Sequence, residues 1–157
     1  MNKLSVGDTA PDFTMRSTER DVFNLYRELD NGPILLNFYI GDFGINCTTY
    51  MTKMIESKER LKNMNVRFVA INPDGLESHR VWRDRMGSDF EHVQDDKQSV
   101  SREYGAIVET PGMVQGFTNR EFFLIGRDRK IRYFWGSEIP KMLPDVNELL
   151  NEVEKHL

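Results

Sequence analysis

The chain is almost devoid of cysteine. Cys47 is the single cysteine among 157 residues, so no intrachain disulfide can form and the fold cannot depend on oxidation. A reducing, cytoplasmic location is therefore the expectation. Exchange reactions that need two thiols in one chain are excluded. Any oxidised form of Cys47 must be reduced by a thiol from another molecule.

The sequence also lacks the features of nucleic-acid, membrane and nucleotide partners. Its 25 acidic and 21 basic residues give a net charge of −4, without the basic excess typical of nucleic-acid binding. No apolar run approaches the roughly 18–20 residues that span a bilayer. The first eight residues contain no apolar signal-peptide core, and no glycine-rich phosphate loop is present. We expect no nucleic-acid and no membrane partner.

Metal ligands are sparse as well. His79 and His92 lie far apart in the sequence, without a carboxylate or cysteine at the usual ligand spacing. The sequence therefore predicts no metal site and no cofactor.

What the chain does contain is the pattern of an α/β fold. Ile34–Ile40 and Val66–Asn72 are nearly continuous apolar runs, typical of strands buried on both faces. Helical spacing between them, from Cys47 to about Asn63, completes a β-α-β unit. The other predicted elements are a turn followed by a short extended piece at 7–15, an extended piece at 21–26, a helix at 76–86, a weak strand at 90–93, a short helix at 99–104, a hairpin of strands 122–125 and 131–135, and a last helix opened by Pro144. This order predicts one domain over residues 1–157 with a thioredoxin-like fold, a central mixed sheet with helices on both faces.

Cys47 falls where a predicted strand and loop lead into a helix. A thiol in the first turn of a helix lies near unpaired backbone N–H groups and the positive end of the peptide dipole. These favour the thiolate, which is the nucleophilic form. The alternative for a single cysteine is a small buried apolar side chain.

Three segments resemble the peroxiredoxins. Residues 38–49 read Phe-Tyr-Ile-Gly-Asp-Phe-Gly-Ile-Asn-Cys-Thr-Thr, similar to a family loop with Phe-Tyr-Pro, three residues, Thr, two residues and Cys. Residues 7–13 read Gly-Asp-Thr-Ala-Pro-Asp-Phe, like the family's opening. Residues 119–125 read Asn-Arg-Glu-Phe-Phe-Leu-Ile, like the strand that supplies its active-site arginine. The single cysteine makes the chain most similar to the one-cysteine branch of alkyl hydroperoxide reductase E type.

The resemblance implies a mechanism and a set of site residues. Cys47 would attack the O–O bond of hydrogen peroxide or a small organic hydroperoxide and become a sulfenic acid. Arg120 would stabilise the charge on sulfur and on the peroxide oxygens. Tyr39, Ile40 and Gly44 would stand at the substrate-binding positions. An external thiol, thioredoxin-like or of low molecular weight, would be the reductant, and the family implies a homodimer.

The chain departs from the family pattern at three positions. Ile40 stands at the position of the proline, Gly44 at that of the threonine, and Tyr50 at that of a glutamate after the cysteine. Loss of one preorganised donor such as the threonine hydroxyl can cost about 10²–10³ in rate. These departures predict a weakened peroxidase.

Two alternatives follow from the same loop. Residues 39–47 are also similar to a peroxiredoxin-like branch with Tyr-Arg-Gly-Asp-Trp-Cys-x-x-Cys, where Gly44 would replace the first cysteine and Cys47 would be the second. The chain would then lack the attacking sulfur. The alternative function is a non-enzymatic thioredoxin-like scaffold or a redox sensor without peroxidase activity.

Overall fold

The computed structural model describes residues 3–157. Met1 and Asn2, which belong to the segment from which we expect no signal peptide, lie outside the described residues. The strands are β1 (Thr14–Ser17), β2 (Phe23–Asn24), β3 (Ile34–Phe38), β4 (Arg67–Asn72), β5 (Glu91–Gln94), β6 (Glu121–Ile125) and β7 (Ile131–Gly136). The helices are α1 (Leu25–Leu29), α2 (Ile45–Glu56), α3 (Lys58–Asn63), α4 (Leu76–Arg85), α5 (Ser99–Glu103) and α6 (Val146–Lys155), with a 3₁₀ turn at Asp96–Gln98. None of the helices within residues 3–157 is long and apolar enough to cross a membrane.

The strands form one mixed sheet in the order β2-β1-β5-β4-β3-β6-β7. Strands β3, β4 and β5 run parallel, whereas β6 runs antiparallel to β3 and β7 antiparallel to β6. All five residues of β3 are buried, which explains its continuous apolar sequence.

Helices cover both faces of this sheet. On one face, α1 and α5 contribute Leu25, Leu29, Val100 and Tyr104 to an apolar core. On the other face, α2, α3, α4 and α6 build a second core, which includes Cys47. The predicted α/β arrangement of a mixed sheet between two helical layers is confirmed.

Three local predictions were wrong. The helix expected around Cys47 ends at Asn63 as predicted, but it is not continuous and breaks at Ser57 into α2 and α3. The extended piece expected at 21–26 is a two-residue strand followed by α1, because the Asn24 side chain accepts the Arg27 backbone N–H and caps a helix there.

The last helix provides the third correction. It does not open at Pro144 but at Val146. The Asp145 carboxylate caps this helix by accepting the Glu148 backbone N–H, so the side-chain cap and not the proline sets the boundary.

Candidate active site

The sheet register brings together two segments that are distant in the sequence. In the antiparallel pair β3–β6, Phe38 lies opposite Glu121. The loop that follows β3 and the residue that precedes β6 therefore lie side by side, at the same end of these two strands. This register places Cys47, at the start of α2, next to Arg120.

Cys47 is the third residue of α2 and is 2 % exposed. Gly44 is the N-cap residue of this helix and has no side chain to cap it, while its carbonyl accepts the Thr48 backbone N–H at 2.8 Å. Because the first N–H groups of a helix have no intrahelical acceptor, α2 directs backbone donors toward the region of the sulfur. The predicted position of Cys47 in the first helical turn is confirmed.

Arg120 is the charged group nearest the sulfur. Its Nη2 lies 3.9 Å from Cys47 Sγ, and its side chain is only 1 % exposed. Its Nη1 donates to Ser137 Oγ and to two backbone carbonyls at 2.8 and 2.9 Å, those of Pro140 and Met142. Among residues 3–157, no carboxylate lies within 4.0 Å of this guanidinium. The cation is thus held in place and remains available to a negative charge on Sγ.

Tyr50 occupies the position at which the family resemblance expects a carboxylate. Its ring lies 5.8 Å from the Arg120 guanidinium carbon, in a cation–π contact. Its hydroxyl donates to Asn37 Oδ1 at 2.8 Å, and burial raises its pKa well above the usual range. Tyr50 therefore packs against Arg120 without neutralising it.

The three predicted substrate-binding residues occupy different environments. Ile40 packs against the apolar core that contains Cys47. A Cβ atom on Gly44 would lie 3.9 Å from Cys47 Sγ, so position 44 borders the sulfur. Tyr39 is fully buried, and its hydroxyl is engaged by other side chains. The substrate-binding roles of Tyr39, Ile40 and Gly44 stay predictions.

A buried polar network, missed in the sequence, surrounds the Tyr39 hydroxyl. This hydroxyl lies 2.6 Å from Asp42 Oδ1, 3.1 Å from His79 Nδ1 and 3.0 Å from His92 Nδ1. Although His79 and His92 are distant in the sequence, their ring centroids are 5.5 Å apart. The strand–helix–strand unit β4-α4-β5 returns His92 beside the start of α4, and this topology was the available signal.

The network has a consistent assignment of protons. An ionised Asp42 only accepts, so the Tyr39 hydroxyl and His79 Nδ1 donate to it, and His92 Nδ1 donates to the Tyr39 oxygen. Although burial opposes it, hydrogen bonding from His79 lowers the pKa of Asp42 below its usual range. Burial, reinforced by His79, lowers the pKa of His92 to about 3.

The same three titratable groups could be considered as metal ligands. Asp42, His79 and His92 offer donor atoms within 4.8 Å of one another. Coordination through the two Nδ1 atoms would move each proton to Nε2, yet neither buried Nε2 has a hydrogen-bond partner. Ligating histidines normally donate through the second nitrogen. The hydrogen bonds account for these groups without a metal ion.

Comparisons with known proteins agree with this geometry. The chain is 23 % identical over 136 residues to a chloroplastic peroxiredoxin Q of rice, Oryza sativa subsp. japonica, with 87 % of this chain and 61 % of that protein covered. It is 28 % identical over 157 residues to peroxiredoxin 2 of Picrophilus torridus, with 95 % and 74 % covered. The chain thus spans about three fifths of the length of the rice relative.

Solved peroxiredoxin structures share the fold over nearly the whole chain. PrxQ of Xylella fastidiosa, in a cysteine-to-serine mutant, superposes with a TM-score of 0.87 at 20 % identity and covers 99 % of both chains. Peroxiredoxin 6 of Arenicola marina gives a TM-score of 0.85 at 19 % identity, with 96 % of this chain and 72 % of that one covered. The thioredoxin-like fold of the peroxiredoxins is therefore confirmed. The model of the AhpC/TSA family matches residues 6–134, and the chain belongs to this family, the peroxiredoxins.

Proposed function

We propose that this protein is a one-cysteine thiol peroxidase that reduces hydrogen peroxide or a small organic hydroperoxide. The observation that carries the proposal is the 3.9 Å contact between Arg120 Nη2 and Cys47 Sγ. Both side chains are buried, at 1 % and 2 % exposure. A guanidinium held at this distance, without a carboxylate partner among residues 3–157, suits stabilisation of an anionic sulfur.

The proposed oxidation is a displacement at oxygen. The Cys47 thiolate attacks the outer oxygen of the peroxide, a sulfur–oxygen bond forms, and the O–O bond breaks. The departing hydroxide or alkoxide takes up a proton and leaves as water or alcohol, while Cys47 becomes a sulfenic acid. Arg120 and the first backbone N–H groups of α2 stabilise the negative charge that develops on the departing oxygen.

Two external thiols would restore the enzyme. The first attacks the sulfenate sulfur, releases water and forms a mixed disulfide with Cys47. The second attacks that disulfide and releases the Cys47 thiol. A thioredoxin-like protein or a low-molecular-weight thiol fits this role, since the chain has no other cysteine.

The location and assembly of the protein are also proposals. We expect a cytoplasmic homodimer, in keeping with the single cysteine and the family. Sedimentation equilibrium of the reduced protein would give twice the 18.4 kDa chain mass. A mass of one chain across the concentration range would contradict the dimer.

The reaction is expected to be slower than the family pattern would allow. Gly44 offers no hydroxyl beside the sulfur, and one missing preorganised donor costs about 10²–10³ in rate. Burial of Sγ also limits the approach of bulky hydroperoxides. Small peroxides are therefore the favoured substrates.

Trapping of the sulfenic acid tests the proposal. The reduced protein would be mixed with one equivalent of hydrogen peroxide in the presence of dimedone and analysed by peptide mass spectrometry. We expect the adduct at Cys47, and turnover of peroxide on addition of a small dithiol. Cys47→Ser, a near-isosteric control, should abolish both. Equal peroxide consumption by wild type and Cys47→Ser would contradict the proposal.

A second candidate function is a redox sensor without peroxidase turnover. The burial of Cys47 at 2 % exposure and the missing side-chain donor at Gly44 favour it. A sensor would form the same Cys47 adduct but would show no sustained peroxide consumption with excess dithiol. The turnover measurement therefore separates the two functions.

A further inference from the structure

Helix α4 contacts residues 41–48 on both sides of the cysteine; these residues, which form the loop before α2 and its first turn, are called here the Cys47 loop. On the N-terminal side, Ser78 Oγ donates to Asp42 Oδ2 at 2.7 Å, and His79 Nδ1 lies 2.8 Å from the same oxygen. On the C-terminal side, Trp82 Nε1–H donates to Thr48 Oγ1 at 3.2 Å. Ser78, His79 and Trp82 all belong to α4, and their spacing places them on one face of that helix.

The same face of α4 also contacts Phe43, which lies between Asp42 and Thr48 in the sequence. Phe43 has φ = +63°, a left-handed conformation that is unfavourable for a bulky side chain. Its ring lies 6.5 Å from the Trp82 ring and 5.5 Å from the Arg85 guanidinium carbon. The Asp42 backbone N–H donates to Asp74 Oδ2 at 2.7 Å in the loop before α4. Strained residues of this kind persist only where their surroundings over-determine them.

The loop itself supplies little restraint. Ile40 does not fix its backbone as a proline would, and Gly44 makes no side-chain capping bond at the start of α2. Restraint of this segment therefore depends on bonds to other elements, and the contacts from α4 are the ones that flank the cysteine.

We infer that α4 is the positioning device of the reaction. Its face of Ser78, His79, Trp82 and Arg85, called here the α4 clamp, holds Asp42, Phe43 and Thr48 so that Cys47 and the α2 N–H groups meet the peroxide in reactive geometry. The residues of the α4 clamp make no hydrogen bond to Sγ and act through the residues that flank it. The inference rests on the proposed function, since it specifies what positions Cys47 for attack.

Loss of the α4 clamp should change the rates of two Cys47 reactions in opposite directions, oxidation by hydrogen peroxide and alkylation by a maleimide. Asp42→Asn removes the charge that Ser78, His79 and Tyr39 share. We expect the second-order rate constant for oxidation of Cys47 by hydrogen peroxide to fall roughly 10- to 100-fold, as misplacement of a reacting group does. Reaction of the buried thiol with a bulky maleimide should instead accelerate, because the loosened loop exposes it.

The chain offers a matched control on the other face of the sheet. Asp95 is fully buried and its carboxylate accepts the Val100 and Ser101 backbone N–H groups at 2.8 and 2.9 Å. Asp95→Asn removes a comparable buried charge, yet should leave both rate constants near the wild-type values. Similar changes in both rates for Asp42→Asn and Asp95→Asn would overturn the inference, since a general loss of stability would then explain them.

Milder variants keep the test decisive if Asp42→Asn does not fold. Ser78→Ala removes one hydrogen bond to Asp42, and Trp82→Phe removes the bond to Thr48 but keeps an aromatic ring. Each should lower the peroxide rate and raise the maleimide rate in the same sense. No change in either variant would overturn the clamp.

Failure of the clamp and failure of the proposed function give different results. A wild-type Cys47 that reacts with peroxide no faster than free cysteine would contradict the peroxidase. A maleimide acceleration confined to the clamp variants would still establish that α4 holds the loop. A fast wild-type peroxide reaction that Asp42→Asn, Ser78→Ala and Trp82→Phe leave unchanged would overturn the clamp alone.

Discussion

At the residue scale, the chemistry depends on two side chains and on one that is missing. Arg120 is held by Ser137 and by the carbonyls of Pro140 and Met142, in addition to its contact with Cys47. Position 44 borders the sulfur but carries no side chain.

Gly44→Thr should accelerate oxidation of Cys47 by peroxide. The dihedral angles of Gly44, φ = −64° and ψ = 137°, are open to any residue. An added Cβ would lie 3.9 Å from Cys47 Sγ, but its 3.3 Å approach to Gly41 O is tight, so the Gly41 carbonyl must shift by a few tenths of an ångström. A hydroxyl there restores a donor, and we expect a gain of about 10-fold or more in rate. Stopped-flow fluorescence would measure it. Gly44→Val, which adds the same shape without the hydroxyl, should show no gain, and equal acceleration by both would refute the hydroxyl's role.

Ser137→Ala should slow the same reaction through Arg120. Ser137 Oγ accepts from Arg120 Nη1 at 3.1 Å and donates to Met142 O at 2.6 Å. Loss of one such hydrogen bond costs about 1 kcal/mol, or roughly fivefold in rate if it is expressed in the transition state. Ser101→Ala removes a fully buried hydroxyl on the other face of the sheet and should leave the rate unchanged. A rate for Ser137→Ala equal to wild type would show that the two carbonyls suffice.

At the scale of elements, the site forms where the end of β3 lies beside the start of β6. Helix α4 packs against the Cys47 loop, which follows β3. Strand β5 contributes His92, whose ring sits beside Trp82 and His79 of α4. Because burial lowers the pKa of His92 to about 3, the folded protein holds this imidazole neutral. Acidification must therefore favour the unfolded chain, in which His92 can bind a proton.

The pH dependence of stability tests this neutral His92. The unfolded chain binds a proton at His92 below about pH 6.5, whereas the folded chain does not until about pH 3, so stability is full above pH 6.5 and falls as the pH decreases between these values. One such group contributes about 1.4 kcal/mol per pH unit. Urea unfolding at several pH values would give the slope. His92→Gln should reduce this slope. An unchanged slope in His92→Gln would contradict the assignment.

The sequence predicted those parts of the fold and site that are encoded locally. The apolar runs at Ile34–Ile40 and Val66–Asn72 predicted the central strands, and the helical spacing that starts at Cys47 predicted this residue at a helix start. Arg120 was predicted through family resemblance, because only the β3–β6 register brings it to the sulfur. The network around Tyr39 could not be predicted from spacing, since His79 and His92 meet through the path of the chain between β4 and β5.

At the scale of the whole molecule, the single cysteine sets the stoichiometry of the proposed reaction with peroxide. No second cysteine in the chain can resolve a sulfenic acid, and oxidation must therefore stop or continue to higher oxides unless another molecule supplies a thiol. Every cycle of the proposed reaction would thus depend on a partner that supplies a thiol. The exposed apolar side chains of Phe43 and Ile45, at 46 % and 85 % exposure, lie in the Cys47 loop where such a partner would approach.

Titration without a reductant tests this dependence. Limiting hydrogen peroxide should be consumed at one equivalent per chain, with a gain of one oxygen atom at Cys47, and a second equivalent should react far more slowly. Addition of a small thiol should convert the product to a mixed disulfide with that thiol. Intact-protein mass spectrometry would follow both steps. Catalytic consumption of peroxide in the absence of any thiol would contradict a one-cysteine cycle.

The central claim is that the Cys47–Arg120 pair makes this thiol reactive toward peroxide. Its most direct test is the second-order rate constant of Cys47 with hydrogen peroxide at fixed pH, measured for wild type, Arg120→Lys and free cysteine. We predict that wild type exceeds free cysteine and that Arg120→Lys loses most of the difference, because an ammonium cannot reproduce the fork that contacts Ser137 and Sγ together. A wild-type rate equal to that of free cysteine, unchanged by Arg120→Lys, would contradict the account.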